Sequence, residues 1–144
     1  VYNLMRIMGV DFGDARTGIA VSDEAGFLAS PVCVIKETSF NETIKKAAKL
    51  AAEYSVGQIV VGYPKNMNGT IGERAEKSKR FAKRLEAATG VPVKLWDERC
   101  TTMSAAVYMN ATDTRGKKRK NNIDAAAAAI ILQDYLDYLR NTNV

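Results

Sequence analysis

The chain has 144 residues, of which 21 are Lys or Arg, 16 are Asp or Glu and none is His, for a formal charge of +5. That length can bury a full hydrophobic core without disulfide or metal staples, and the lack of histidine removes Ser-His-Asp, Cys-His and His-ligated zinc chemistry together. The basic balance, with a pI near 9.3, leans toward a polyanionic partner, and any catalysis falls to carboxylates, Lys, Tyr, Thr, Ser or Cys.

Cys33 and Cys100 are far apart and form no CxxC pair, which fits a reducing, cytoplasmic setting. No run approaches the ~18 apolar residues of a membrane span, so no membrane partner is expected. Val1 to Leu4 precede Met5, itself a natural start, and are read as extra residues ahead of a single domain over 5–140.

Ile7, Met8 and Val10 form a short apolar run ending in Asp11, as in a central strand covered on both faces. Gly13 and Gly18 bracket a turn, and Ile19-Ala20-Val21 returns antiparallel. A third strand spans Phe27 to Ile35, with Pro31 confining it to an edge or a bulge. Ser39-Phe40-Asn41-Glu42 matches a capping box and opens an amphipathic helix of about four turns, with Phe40, Ile44, Ala47, Ala48, Ala51 and Tyr54 inward.

Gln58 to Tyr63 is a buried strand stopped by Pro64, followed by a polar loop, Lys65 to Gly72, where parallel sheets place ligand contacts. A second helix spans Glu73 to Thr89, with Ser78, Phe81, Ala82, Leu85 and Ala88 inward and Gly90 as its stop. Its cations, Lys77, Lys79, Arg80, Lys83 and Arg84, form either a solvated face or a phosphate-tracking surface. Val91 to Trp96 is a fifth strand ending in Asp97-Glu98-Arg99, and Thr101 or Thr102 caps a short helix reaching Met109.

A polar loop then carries Arg115, Lys117, Lys118, Arg119 and Lys120, and a last, Ala-rich helix capped by Asn122 runs from Ile123 to about Leu139. This order predicts an α/β fold with a mixed five-stranded sheet: three antiparallel meander strands, two parallel strands beside the first, and flanking helices.

Asp11 and the Asp97-Glu98 pair then share one carboxyl edge. On the last helix the inward stripe is Ala128, Ile131, Leu132, Tyr135 and Leu139, and Asp124 belongs to it, whereas Asp134 and Asp137 fall on the wet face. Each acid also has a local reading: Asp11 as an Asx-turn residue, Asp124 as a favourable first-turn acid, and Asp97 or Glu98 as partner to Arg99. Alternation alone does not choose between Asp97 and Glu98.

If Asp11, one acid of the fifth-strand pair and Asp124 converge, two carboxylates ~4 Å apart repel by about 4 kcal/mol at an effective dielectric near 20. Either protons or cations must then be present, and for cations oxygen-only ligands select Mg²⁺ or Mn²⁺. If all five cations of 115–120 met duplex phosphates, log affinity would fall against log salt with a slope of about −4.5; the alternative is a solvated turn.

Gly9-Val10-Asp11-Phe12-Gly13 with Arg16-Thr17-Gly18, Val61-Gly62-Tyr63-Pro64 with Asn66-Met67-Asn68-Gly69-Thr70, Asp97-Glu98-Arg99 with Thr101-Thr102, and Ile123-Asp124 with Ala126-Ala127 together resemble the YqgF (RuvX) family. The likeness runs in order from about Met5 to Leu139. It implies a fold like ribonuclease H and the RuvC resolvases. The implied activity is that of a metal-dependent endonuclease, either maturing the 5′ end of pre-16S rRNA or resolving Holliday junctions.

On the same resemblance, Asp11, Glu98 and Asp124 are the catalytic, metal-binding carboxylates, and Arg16, Lys65, Asn66 and Arg74 border the nucleic-acid groove; Arg99 and the basic run are further expected nucleic-acid contacts, on their charge. Implied partners are structured RNA or branched DNA and ribosomal precursor particles, with the protein a monomer or weak homodimer. RuvC has a fourth acid soon after its last one; Ala125 to Ala129 offers none here. Two other classes remain: an actin- or hexokinase-like nucleotide binder, since Gly9 to Gly18 also resembles a phosphate hairpin, and a nucleic-acid-binding module without catalysis.

Overall fold

The computed structural model of the protein describes residues 5–63, 72–97 and 116–142, the side chains of 116–124 and 142 excepted. Its strands are β1 (Arg6–Asp11), β2 (Arg16–Ser22), β3 (Ala29–Lys36), β4 (Val56–Tyr63) and β5 (Val93–Asp97); its helices are α1 (Phe40–Glu53), α2 (Glu73–Thr89) and α3 (Gly116–Thr142). The sheet order is β3-β2-β1-β4-β5. β1 pairs antiparallel with β2 and parallel with β4, and β4 pairs parallel with β5. The expected mixed sheet is therefore present, with β1 at its centre.

Pro31 sits where a proline is tolerated, on an edge strand and at an irregularity: β3 is outermost, and its register against β2 shifts between Ile19 and Ala20. β3 starts at Ala29, two residues later than the sequence pattern suggests, and leaves Phe27 and Leu28 exposed in the preceding turn. That turn is closed by the Asp23 carboxylate, which accepts from the Phe27 amide at 2.8 Å.

Ser39 caps α1 by accepting from the Glu42 amide, but the reciprocal arm of the box comes from elsewhere. The Ser39 amide donates to Glu37 at 3.1 Å, while Glu42 lies 3.4 Å from Lys45. The Ser39 amide, and Lys46 beside it, hold the Glu37 carboxyl below the usual range. α2 has the expected bounds and stops at Gly90, whose φ of 75° is the left-handed conformation that glycine adopts without strain. Ala88 is exposed, contrary to its expected inward position, and Leu85 is the last buried residue of α2.

α3 begins at Gly116, two turns before the expected start at Ile123. The expected loop over 117–120 is therefore helix. Lys and Arg have nearly the helix propensity of Leu, so the preference of Asn122 for a cap position does not stop the helix from extending backward through them. The helix expected after Thr101 or Thr102 lies outside the described residues.

The sheet is covered on both faces. On one, Met8, Val10, Phe12, Ile19, Ile59 and Val61 pack under α1 and α2, whose contributions include Ile44, Ala47, Phe81 and Leu85. On the other, Ile7, Ala20, Ala29 and Val60 pack under α3 through Ala128, Ile131, Leu132 and Tyr135. Cys33 is half-buried, and burial, then Glu53, pushes its thiol up, which keeps it a poor nucleophile. Among the described residues no helix is long and apolar enough to cross a membrane.

Candidate active site

Alternation along β1 assigns its side chains to the two faces. Met8, Val10 and Phe12 belong to the α1–α2 core, and Ile7 to the α3 core. A Cβ on Gly9 would lie 2.7 Å from Leu132 Cβ and 2.8 Å from the Ala128 carbonyl, so Gly9 also faces α3 and only the lack of a side chain lets the helix sit so close. Asp11 is next in that series, half-buried at the end of the strand on the α3 face.

The same argument applied to β5 gives Asp97 a face. Val93 and Leu95 pack against the α1–α2 core. Trp96 packs against the α3 core, with its ring 5.5 Å from that of Tyr135, and Lys94 Nζ lies 5.9 Å from the Tyr135 ring centroid. Asp97 therefore shares the α1–α2 face with Tyr63, its β4 neighbour in register. Even-numbered positions of β5 face α3, as Asp11 does.

α3 runs antiparallel to β1 and β4. The Tyr135 hydroxyl accepts from Gln58 Nε2 at 2.8 Å near the start of β4, and Ala128 and Leu132 lie over Gly9 in mid-strand. Successively earlier turns of α3 thus approach the carboxyl end of β1. Position 124 of the helix is one turn ahead of Ala128.

The turn after Asp11 is held by backbone geometry. A Cβ at Gly13 would run into the Arg16 carbonyl, so the close β1–β2 connection needs glycine there. The buried Thr17 hydroxyl lies 3.4 Å from the Gly13 carbonyl across the turn. Arg16 opens β2 at the same edge as Asp11, half-buried, and Arg74 is exposed in the first turn of α2.

Glu98, Arg99, Lys65, Asn66 and Arg115 lie outside the described residues; Asp124 and Lys117, Lys118, Arg119 and Lys120 are described as α3 backbone only. Among the described residues no three of Asp, Glu or Cys come together as a metal cluster. A feature the sequence pattern does not signal is a cleft of about 290 Å³ beside the hairpin turn, where Lys77 reaches Asp14 at 3.2 Å.

This architecture is similar to that of the solved RuvC of T. thermophilus in complex with Holliday junction substrate: TM-score 0.65 and 14% identity, covering 96% of this chain and 97% of that one. The fold is RNase H-like, of the resolvase type. The sequence model of the RuvX family, described as Holliday junction resolvase, matches residues 5–138, and the chain belongs to that family.

Two curated relatives carry the name "Putative pre-16S rRNA nuclease". The protein of Geobacillus sp. (strain WCH70) is 49% identical over 135 residues, covering 92% of this chain and 98% of its own. That of Agathobacter rectalis is 47% identical over 141 residues, covering 96% and 99%. The chain is a nuclease, acting on phosphodiester bonds, and nucleases of this fold use divalent metal in general.

Proposed function

We propose that Asp11, Glu98 and Asp124 form a three-carboxylate site for Mg²⁺ or Mn²⁺, and that the chain hydrolyses a phosphodiester in structured nucleic acid. The observation that carries this reading is the alternation of β1 and β5, which turns the even positions of β5 toward the same α3 face as Asp11. In the sequence Glu98 stands two positions after Trp96. β1 and β5 flank β4, two strand spacings or about 9.6 Å apart.

An all-oxygen donor set fits a hard divalent cation, which when bound activates water and neutralises charge on the phosphodiester. The chain's own contribution is rigidity and charge. Asp11 sits on the central strand, Gly9 fixes the approach of α3 to that strand, and the Gly13 turn sets Arg16 at the rim. Arg16, Lys65, Asn66, Arg74, Arg99, Arg115, Lys117, Lys118, Arg119 and Lys120 form the proposed phosphate contacts. Four consecutive cations early in α3 oppose the helix dipole, a cost that an anionic strand relieves.

The substrate is pre-16S rRNA, cleaved in maturing its 5′ end on ribosomal precursor particles in the cytoplasm, by one domain spanning residues 5–140 that acts as a monomer or weak homodimer. Relatives at 47–49% identity over nearly their whole length support this choice. The family's description favours a second reading, resolution of a four-way DNA junction. The test offers both substrates in parallel with Mg²⁺ or Mn²⁺. RNA cleavage is expected, with loss in a chelator and in a folded Asp11→Asn protein; undiminished turnover by that variant would overturn the proposal.

A further inference from the structure

The carboxylate edge uses one face of the sheet, but the cleft beside it opens on the other. Its floor is apolar: Phe12 stacks on Phe81 with ring centroids 4.5 Å apart, and Phe40 meets both edge-on at 5.8 and 6.1 Å. Phe12 and the half-buried Phe40 line the cleft together with Thr38, Lys77, Arg80 and Asp14. Asp14 pins Lys77 at the mouth at 3.2 Å, while Arg80, one turn on, has no carboxylate partner among the described residues. The lining therefore carries two cations against one anion. A further turn along α2, Arg84 lies 5.8 Å from the Phe40 ring centroid and donates to Asn41 at 3.0 Å, extending the cationic track away from the hairpin.

An aromatic floor with cations along one wall is the arrangement that holds single-stranded nucleic acid, with bases against rings and phosphates on the cations. At about 290 Å³ the cleft is at the small end of ligand pockets and cannot admit a duplex. Phe12 and Gly13 directly follow Asp11, so the cleft opens at the same strand end as Asp11, on the other face of the sheet.

The geometry points to a subsite for one unpaired nucleotide, its base on the half-buried Phe40 above the buried Phe12 and its phosphate between Lys77 and Arg80. This rests on the nuclease reading above and deepens it: the strand next to the cleaved bond enters unpaired, and substrates are selected by local single-strandedness.

The test measures binding, without divalent metal, of short single-stranded RNA and DNA oligonucleotides and a blunt duplex to the Asp11→Asn protein, so that it is independent of cleavage. Phe40→Leu in that background should weaken single-strand binding about tenfold and leave duplex binding and the salt dependence unchanged. Arg80→Gln, on an exposed position, should lower the slope of log affinity against log salt by about 0.7 for the single strand, and it keeps the test open if Phe40→Leu does not fold. A preference for RNA or DNA among the single strands identifies the source of the nucleotide, and either supports the subsite. Unchanged single-strand affinity and slope in both variants, or equal losses on the duplex, would overturn it.

Discussion

The two faces of the sheet are packed by opposite means. Under α3 the closest approach is over small residues, Gly9 and Ala20 on the strands and Ala128 on the helix, set among the larger Ile7, Val60, Ile131, Leu132 and Tyr135. Backbone meets backbone so closely that a single methyl on Gly9 would not fit. Under α1 and α2 the contact is made by large rings, Phe12, Phe40 and Phe81, and the helices part beside the hairpin to leave an open cleft. Close packing fixes a helix relative to a strand to within a fraction of an ångström, as positioning of charge requires. Of the three rings Phe12 and Phe81 are buried, and Phe40 is the one left half-exposed at the cleft, where a base could meet it.

The largest expected effect comes from breaking the α3 face chemically. Asp11→Asn, Asp124→Asn and the double variant should all fall to the same background rate of cleavage, because residues that act as one unit are not additive; single-turnover assays on the same RNA check this. Gly9→Ala should come next. Overpacking costs about 1–3 kcal/mol, seen as a fall of several degrees in unfolding temperature, and cleavage should drop further than the remaining folded fraction explains.

The smallest effect belongs to the outer side of α3. Burial, with Asp137 adding to it, holds the Asp134 carboxyl above its ordinary range. A raised carboxyl favours the native state when protonated, so its contribution to stability declines as pH rises from the unfolded value near 3.9 through the higher native one. Solvent screening at this partly exposed position keeps the effect small. Asp134→Asn should raise stability at pH 7 by no more than about 0.5 kcal/mol and make no difference near pH 3, with cleavage unchanged; thermal melts at the two pH values measure it.

Much of this architecture is legible in the residues because local signals and topology agree. Gly90 marks the end of α2, Ser39 the start of α1, and the crossover rule sets β4 beside β1 and β5 beyond it. The start of α3 is misread because two propensities compete there, that of Asn122 for a cap and that of four cations for helix.

The face that Asp97 takes is invisible in sequence for a different reason. Period two groups residues by face but does not say which face is which; that needs Trp96 against Tyr135. The cleft is less legible still, since Phe12, Phe40 and Phe81 come from three separate elements. On α2, Lys77 and Arg80 look like any solvated charges until the hairpin is placed beside them.

The most direct test of the central claim compares the two neighbouring acids. Cleavage of pre-16S RNA in Mg²⁺ by folded Glu98→Gln and Asp97→Asn proteins should give background activity for the first and near wild-type activity for the second. Activity retained by Glu98→Gln and lost by Asp97→Asn would contradict the assignment of the catalytic carboxylates to the α3 face.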